Sequence, residues 1–437
     1  MDSTSVLVPS PSDVAAAVAA SLDVAHRHDP YPSYAVLRDT PGFPPGPLGT
    51  HAVSRYADCE TVLADPAWSH AEEARLLHPD SEVHLPGSFL WMDPPDHTRL
   101  RGLVAQAFTP RRIQGMRSDA ETIVAGLLDE AVAKGTVDLV EALAYPLPLR
   151  MICRMMGVPA AAEDDVRRMS AGIARGLDPD VLLTPEELAA RTTAVHDFTE
   201  FFGELAARRR VEPQDDLVTA LVRAETTVAS ASSGSAQMVA SARSGSAQDG
   251  DRLSPVELLG TLLILVVAGH ETTVNLVANG VRALAAHPAQ LDLLRADPEL
   301  ATPAVDEILR FDPPVHLTTR TARTALTVGG RRFEAGESLL LLLGAANRDD
   351  AAFPRADVLD VTRYAERGVA RRHLAFGLGL HHCLGAALAR LELESVLRAL
   401  VARGVEVELL TERPRYRPNL VVRGMAELPV RITETHR

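Results

Sequence analysis

The sequence predicts a mainly α-helical protein with a smaller β region, and two patterns support this prediction. Long segments carry apolar residues at three- and four-residue spacing, which is typical of helices with one buried face. The clearest of these segments are 120–132, 185–209 and 258–286. The region 318–343 instead contains alternating or continuous apolar runs on either side of Gly329-Gly330, as a β-hairpin does. Similar short runs predict strands at 51–54, 405–409 and 421–433.

The longest predicted helix has a well-marked start. Ser254 can cap it, Pro255 suits its first turn, and Glu257 completes a capping box with Ser254. At about 1.5 Å per residue, a helix from there to about Ala286 is long enough to cross a whole domain. A second strongly helical run begins at Ala386, directly after a glycine-rich segment.

The chain has 437 residues, more than one domain usually contains, but no segment marks a clean boundary. We therefore expect one domain at residues 26–437, preceded by a loose, flexible leader at residues 1–25. Residues 230–250 are rich in Ser, Ala and Gly and contain Ser-Gly-Ser-Ala-Gln twice. They lack the apolar content needed to pack, so we expect a flexible surface insertion there.

Composition argues against several classes of protein. A net charge of -14 is unfavourable for nucleic-acid binding, which needs a basic surface. Three cysteines without paired spacing indicate a reducing compartment rather than a disulfide framework. The N-terminus lacks the basic region of a signal peptide, and the most apolar stretch, 258–268, is too short to span a bilayer. We expect a soluble, cytoplasmic protein that uses no membrane.

The segment from Phe376 to Gly385 reads Phe-Gly-Leu-Gly-Leu-His-His-Cys-Leu-Gly. Its glycines allow a tight loop whose bare backbone can approach a flat group. Cys383 lies just before a predicted helix, where the positive end of the helix dipole favours a thiolate over a thiol. With His381 as a polar neighbour, this loop is suited to holding one metal centre through a soft anionic ligand.

A second motif, Ala268-Gly269-His270-Glu271-Thr272, lies in the middle of the long apolar helix. A zinc-peptidase motif would need another histidine four positions after the first, but Val274 stands there. Gly269 removes side-chain bulk and allows a kink or widened turn. A carboxylate and a hydroxyl beside such a gap are what proton delivery to a bound oxygen molecule requires.

Both motifs resemble those of the cytochrome P450 family. The loop matches the family's haem-binding pattern, Phe-Gly-x-Gly-x-(His or Arg)-x-Cys-x-Gly, at every fixed position. The helix matches the family's oxygen-binding pattern, (Ala or Gly)-Gly-x-(Asp or Glu)-Thr-(Thr or Ser). The resemblance covers about residues 30–433, and it implies the cytochrome P450 fold, a single triangular haem-binding domain with a long central helix.

The resemblance also implies the cofactor and the residues around it. Haem b, iron protoporphyrin IX, would be bound with Cys383 as the axial ligand of its iron. Thr272 would hold the oxygen ligand and its waters, and Glu271 would help relay protons. The cofactor-binding residues implied in this way are His97, Arg101, Ala268, Gly269, Arg320, Phe376, His381, Cys383 and Gly385.

Four of these residues are suited to the haem carboxylates, because arginine and histidine are charge-assisted hydrogen-bond donors. His97 and Arg101 share a helix face if Pro94-Pro95 opens a helix, and Arg320 lies on a predicted strand. His381 belongs to the cysteine loop. In the same family, the pair Glu307 and Arg310 forms a structural ion-pair network rather than part of the catalytic site.

The implied activity is that of a haem-thiolate monooxygenase, with hydroxylation the favoured outcome. The segments that line the family's pocket are mostly aliphatic here, which suits a bulky, largely apolar substrate such as a polyketide macrolide or a terpenoid. O2 would be the co-substrate. Electrons would come from NAD(P)H through a ferredoxin reductase and a ferredoxin, because the sequence shows no flavin or iron–sulfur motif. An acidic ferredoxin would dock near arginines such as Arg111 and Arg112.

Other functions stay open on the sequence alone. Epoxidation, oxidative coupling and peroxide-driven oxidation use the same motifs. A non-catalytic haem sensor needs an output module, and none is recognisable in the sequence. A zinc or structural protein would use His381, His382 and Cys383 as ligands.

Overall fold

The computed structural model describes residues 9–78, 87–106, 108–224, 253–366 and 368–434. The α-helices of these residues are α1 (Pro11–Leu22), α2 (Tyr31–Asp39), α3 (Tyr56–Ala64), α4 (Ala71–Leu77), α5 (Asp96–Ala105), α6 (Pro110–Gly115), α7 (Arg117–Lys134), α8 (Pro146–Met156), α9 (Glu163–Arg175), α10 (Pro185–Val211), α11 (Leu217–Arg223), α12 (Pro255–Ala286), α13 (Pro288–Ala296), α14 (Ala301–Phe311), α15 (Leu343–Ala346) and α16 (Ala386–Ala402). The strands are β1 (His51–Val53), β2 (Trp68–Ser69), β3 (Thr136–Asp138), β4 (Leu317–Ala322), β5 (Leu326–Val328), β6 (Arg331–Phe333), β7 (Ser338–Leu342), β8 (Val405–Leu409) and β9 (Pro429–Glu434). The mainly helical class with a smaller β region is confirmed. The predicted insertion at 230–250 lies outside the described residues.

Two expectations about local structure differ from what is observed. Residues 11–22 of the expected loose leader form helix α1, because Ser10 and Asp13 make a capping box and Ala17 and Ser21 are buried. The strand expected over 421–433 begins only at Pro429. Before it, the backbone makes irregular pairings, including an isolated bridge between Val315 and Val422.

The described residues divide into two compact units, each assembled from distant segments of the chain. The first unit comprises Met1–Glu73, Arg117–Leu147 and Thr272–Arg437, and the second comprises Ala74–Met116 and Pro148–Glu271. No single linker therefore separates the two. The expectation of one domain from residue 26 onward stays a prediction.

The first unit contains all the described strands. Four of them form a sheet in the order β1-β7-β4-β2, in which β1 and β7 are parallel and the other pairs are antiparallel. Strands β3, β9 and β8 form a second sheet, and β5 pairs with β6 across the Gly329-Gly330 turn, as predicted. Arg320 on β4 is opposite Leu339 on β7, and this pairing defines the register of the two strands. An apolar cluster around Trp68 and Phe333 packs against this sheet.

Helices α14 and α16 pack together within the first unit around a second apolar cluster that includes Leu276 of α12. Gly280 of α12 permits this close packing, since a Cβ there would lie 3.1 Å from Leu393 of α16. The cysteine loop leads directly into α16. The start of α16 is thus held by the same packing that positions α14.

The second unit is helical in its described residues. Helix α10 begins with a capping box between Thr184 and Glu187, and α9 packs along it. Gly172 of α9 lies so close to α10 that a Cβ there would be 2.7 Å from Ala194. Helix α12 enters this unit through the predicted capping box, in which the Ser254 backbone N–H donates to Glu257 at 2.8 Å and the Glu257 N–H donates to Ser254 at 3.2 Å.

Helix α12 is long and apolar enough, by length and composition, to pass as a membrane span. Its most apolar 18-residue window is 83% buried within the structure. A helix covered by its own chain in this way has the character of a core helix.

Candidate active site

The loop from Phe376 to Gly385 holds Cys383 at an exposed position. The Cys383 backbone N–H donates to the Phe376 carbonyl at 2.9 Å and closes the loop. Gly377 and Gly379 have φ values of 64° and 66°, in the left-handed region that glycine adopts at no steric cost. At Gly379 a Cβ would also lie 2.5 Å from the Leu63 carbonyl oxygen, so both conformation and space require glycine there.

The cysteine loop is fixed to α14 through Asp306. The Asp306 carboxylate lies 3.0 Å from Nε2 of His373 and accepts a 2.8 Å hydrogen bond from Nε of Arg390. The Arg390 guanidinium also covers the ring of Phe376 at 4.5 Å. Burial alone would raise the pKa of Asp306, but the hydrogen bond and charge of His373, together with Arg390, hold that pKa below its usual range. The loop is therefore positioned by a network of charged groups at its base.

One face of α12 is accessible in the middle of an otherwise covered helix. Every residue from Gly260 to Val281 is described, and only Ala268, Gly269 and Thr272 among them are not buried. Thr272 is four positions after Ala268 and three positions after Gly269, so the three residues share one face of the helix. The two adjacent residues, His270 and Glu271, are buried. The assigned α-helix is unbroken through Gly269, so the kink or widened turn expected there does not interrupt it.

Arg320 and His381 lie in one polar cluster of the first unit, together with two residues that the sequence did not indicate. Arg320 is 5% exposed, and its Nη1 donates to Thr318 at 3.0 Å and lies 3.9 Å from the Glu73 carboxylate. His70 is in ion-pair contact with Glu73, and its ring lies 4.7 Å from that of His381. Burial alone would raise the pKa of Glu73, but His70 and then Arg320 hold it below its usual range. This cluster binds a buried carboxylate.

His97 and Arg101 lie on α5 in the second unit, in the helix that the Pro94-Pro95 pair was expected to open. His97 is buried and Arg101 is partly exposed. Arg99 between them forms an ion pair with Glu257 in the first turn of α12. That ion pair, together with the capping box, fixes α5 to the start of the long helix.

Comparison with known proteins identifies the family. Residues 294–413 match the cytochrome P450 family model. The chain is 36% identical over 423 residues to 6-deoxyerythronolide B hydroxylase of Saccharopolyspora erythraea, which covers 92% of this chain and 96% of the relative. It is 37% identical over 418 residues to vitamin D(3) 25-hydroxylase of Pseudonocardia autotrophica, covering 92% and 93% of the two chains. The chain belongs to the cytochrome P450 family.

The fold agrees with this assignment, since cytochrome P450 CYP109Q5 of Chondromyces apiculatus superposes with a TM-score of 0.79 at 31% identity, covering 94% of this chain and 97% of that chain. The protein is a P450 monooxygenase, and the family uses haem iron and O2. That assignment decides against the zinc-protein and sensor alternatives. Within the described ranges, no group of three or more His, Cys, Asp or Glu side chains could hold a metal ion.

The residues of this P450 fit a haem. One exposed cysteine lies near the end of a glycine-rich loop, in which a Cβ at Gly379 would meet the Leu63 carbonyl oxygen, and this suits a single thiolate ligand against a flat group. The cluster around Arg320 already holds one buried carboxylate, so its donors match the chemistry of a propionate. His97 and Arg101 belong to the other unit, and their action together with Arg320 stays a prediction.

Glu307 and Arg310 form a buried ion pair within the first unit, as expected of a structural network. Both side chains are 0% exposed, and Arg310 donates twice to Glu307, at 2.7 and 2.8 Å. Arg310 also donates to the carbonyls of Asn347, Ala356 and Val358. A third charged residue, Arg363, donates to Glu307 at 3.1 Å, and the sequence did not indicate it. The network thus joins α14 to the chain segments that precede the cysteine loop.

Each polar group that sequence reasoning missed has at least one partner that lies far away in the chain. His70 and Glu73 carried a usable local signal, because residues i and i+3 of opposite polarity share a helix face. Asp306 stands beside the recognised Glu307, but nothing in the sequence connects it to His373.

Proposed function

We propose that this P450 inserts one oxygen atom of O2 into a bulky, largely apolar substrate, with hydroxylation as its main outcome. The observation that supports this most directly is the accessible patch in the middle of α12, formed by Ala268, Gly269 and Thr272. It places a small gap beside a hydroxyl in an apolar helix. The carboxylate of Glu271 stands next to it in the chain.

Cys383 is the proposed axial ligand. The haem, when bound, supplies oxygen activation, and a thiolate ligand promotes O–O cleavage. The exposed position of Cys383 and the closed loop behind it leave the sulfur accessible, while the Asp306 network holds the loop. Phe376 is the first residue of this loop and Gly385 is the last, and the Arg390 guanidinium lies over the Phe376 ring.

The hydroxyl of Thr272 is proposed to donate protons at the accessible patch. A hydroxyl can donate one proton while it accepts another, so it can pass protons along a chain of hydrogen bonds. Glu271 is proposed to supply these protons, because a carboxyl group can take up and release a proton at each turnover. Ala268 and Gly269 keep the patch free of bulky side chains.

Arg320 and His381 are proposed to bind one haem carboxylate, and His97 and Arg101 to provide further donors. Arginine binds carboxylates through a planar pair of donors, and such charge-assisted hydrogen bonds are stronger than neutral ones. The environment of Arg320 supports its role, because the guanidinium is buried and already directed towards a carboxylate. His70, against His381, is proposed as an additional residue of this cluster.

The proposed substrate is a secondary metabolite of the size of a polyketide macrolide or a terpenoid. Two relatives support a large, apolar molecule, since their names state that they act on 6-deoxyerythronolide B and on vitamin D(3). Electrons are proposed to arrive from NAD(P)H through a ferredoxin reductase and a ferredoxin, in the cytoplasm. Arg111, which is exposed on α6, and Arg112 are candidate contacts for the acidic carrier.

The proposal is tested in two steps. Purified protein, reduced and exposed to carbon monoxide, should give the Soret band of a thiolate-ligated haem, and Cys383→Ser should abolish it. A binding screen with 6-deoxyerythronolide B, vitamin D(3) and glutamate should then give spectral shifts with the large apolar compounds only. Turnover of a binder under isotope-labelled O2 should place one labelled atom in the product. A Soret band elsewhere in the intact protein, or a product without the label, would overturn the proposal.

A further inference from the structure

A buried hydrogen bond connects α9 with α12 inside the second unit. The Ser170 hydroxyl lies 3.1 Å from Nδ1 of His270, and both side chains are 0% exposed. The same imidazole nitrogen lies 3.9 Å from the nearer carboxylate oxygen of Glu271. A buried series of polar contacts therefore runs from Ser170 through His270 to Glu271.

Helix α9 is packed against helix α10. Gly172 brings it against Ala194 of α10, and Arg175 at its end donates to Glu187 in the first turn of α10 at 2.9 Å. Helices α9 and α10 thus contact each other at two places along their length. A displacement of the α9–α10 pair would reach α12 through the Ser170–His270 bond.

We infer that Ser170 and His270 are positioning residues that fix the orientation of the Glu271 carboxylate and couple it to the α9–α10 pair. The inference rests on the proton role proposed for Glu271. His270 and Glu271 are adjacent on one helix, so a change in the imidazole's side-chain angle alters the space and the field beside the carboxylate. The Ser170 hydroxyl restricts that angle, because a buried imidazole that loses a hydrogen bond is destabilised until it turns to another partner.

The expected size of the effect follows from the energy of one hydrogen bond. A net contribution of about 0.5–1.5 kcal/mol corresponds to about a 2- to 10-fold change in the ratio of two orientations. Ser170→Ala should therefore raise the peroxide released per NAD(P)H consumed by about 2- to 10-fold. The Michaelis constant for substrate should change less than kcat, because the carboxylate and not the substrate is affected.

The test uses the haem-loaded protein with NAD(P)H, a surrogate ferredoxin and its reductase. Ser170→Ala is compared with Ser170→Thr, which keeps the hydroxyl and should restore the coupling. The matched control is Ser21→Ala, which removes another buried serine hydroxyl, whose partner in the described part of the chain is the Val18 carbonyl of its own helix at 2.7 Å. If Ser170→Ala does not fold, as judged by its reduced carbon monoxide spectrum, His270→Asn carries the same comparison.

A double variant separates this inference from the function on which it rests. In a Glu271→Gln background, Ser170→Ala should add nothing further to peroxide release, because the group through which it acts is gone. Unchanged peroxide release in Ser170→Ala, with a clear increase in Glu271→Gln, would overturn the inference alone. Additive effects of the two changes would overturn it as well, since they would assign Ser170 a role separate from Glu271. No effect of Glu271→Gln by itself would contradict the proposed proton role.

Discussion

The imidazole ring of His70 lies against that of His381, with 4.7 Å between the ring centroids. His381 belongs to the cysteine loop, and His70 lies at the start of α4, where it contacts Glu73. Arg320 reaches the same carboxylate from β4. Arg320 and His70, two of the residues proposed to bind a haem carboxylate, therefore already share a buried carboxylate of the chain itself.

This arrangement predicts that Arg320 has two separable roles. Arg320→Leu should lower the free energy of unfolding by about 3–5 kcal/mol, because it leaves Glu73 buried without its arginine. It should also accelerate haem loss to a haem-scavenging protein. Adding Glu73→Gln should recover much of the stability but none of the haem retention, since the guanidinium is still absent. Recovery of both properties in the double variant would show that Arg320 serves only Glu73.

The accessible patch on α12 predicts the effect of removing a hydroxyl there. Thr272→Val should reduce product formed per NAD(P)H by about tenfold or more, since general acid catalysis typically contributes factors of this size or larger. Thr272→Ser should retain coupling because it keeps the hydroxyl. Thr261→Val is the matched control, because Thr261 is buried on the same helix and its hydroxyl has no hydrogen-bond partner among the residues that the structure describes. Full coupling in Thr272→Val would contradict the proton role.

The ion pair of Glu307 and Arg310 predicts a stability effect that charge alone does not explain. Arg310→Lys should lower the free energy of unfolding by about 3 kcal/mol or more, because one ammonium group cannot replace five hydrogen bonds to a carboxylate and three carbonyls. Arg398→Lys is the control, since Arg398 pairs with Glu394 at 2.9 Å on the surface of α16. It should cost less than about 1 kcal/mol. Equal losses in chemical denaturation would refute the special role of Arg310.

Local signals predicted much of the fold and of the site. The capping box at Ser254 and Glu257 predicted the start of α12, and the motif from Ala268 to Thr272 contains the three residues that are accessible in the middle of that helix. The cysteine loop could be predicted because its glycines adopt conformations that other residues avoid. These features depend on neighbours within a few residues.

Other features could not be predicted, because they depend on contacts between distant segments. Helix α1 has a local capping box, but its apolar run is short and rich in alanine, and which of its residues are buried depends on packing against α2. The segment before Pro429 looked like a strand, but its backbone pairs irregularly, as in the bond from Arg423 N–H to the Pro314 carbonyl. The contact of His70 with His381 likewise exists only once the chain has folded.

His316 predicts a loss of stability in mild acid. It is 0% exposed, and burial and the charge of Arg423 lower its pKa to about 4, against an ordinary value of 6.5. Between pH 6.5 and 4 the unfolded chain binds a proton that the folded chain does not, so the free energy of unfolding falls as the pH falls. The loss approaches about 3 kcal/mol at the lower end.

His316→Gln should make this pH dependence shallower, measured as the midpoint of urea unfolding across that range, while His373, whose pKa burial also lowers, keeps its own contribution. The amide can still hydrogen-bond the Tyr34 hydroxyl, which lies 3.0 Å from Nδ1 of His316. His196→Gln, at an exposed position on α10, is the control and should leave the slope as in the native chain. A slope in His316→Gln as steep as that of the native chain would assign the acid sensitivity to other groups.

Glu392 and Glu394 on α16 predict opposite effects of the same substitution. Burial raises the pKa of Glu392 well above its ordinary value, and its Oε2 has no hydrogen-bond partner in the described part of the chain. The Glu392 carboxyl therefore keeps its proton to a higher pH in the folded state than in the unfolded chain, which ionises above about pH 4.5, so stability falls as the pH rises above that value. Glu392→Gln should raise the melting temperature at pH 7 and have little effect at pH 4.

For Glu394, burial alone would raise the pKa, but the hydrogen bonds from Arg398 and Arg117 hold it below its ordinary value. Glu394→Gln should therefore lower the melting temperature at pH 7, and a change of the same sign in both variants would contradict this account of α16.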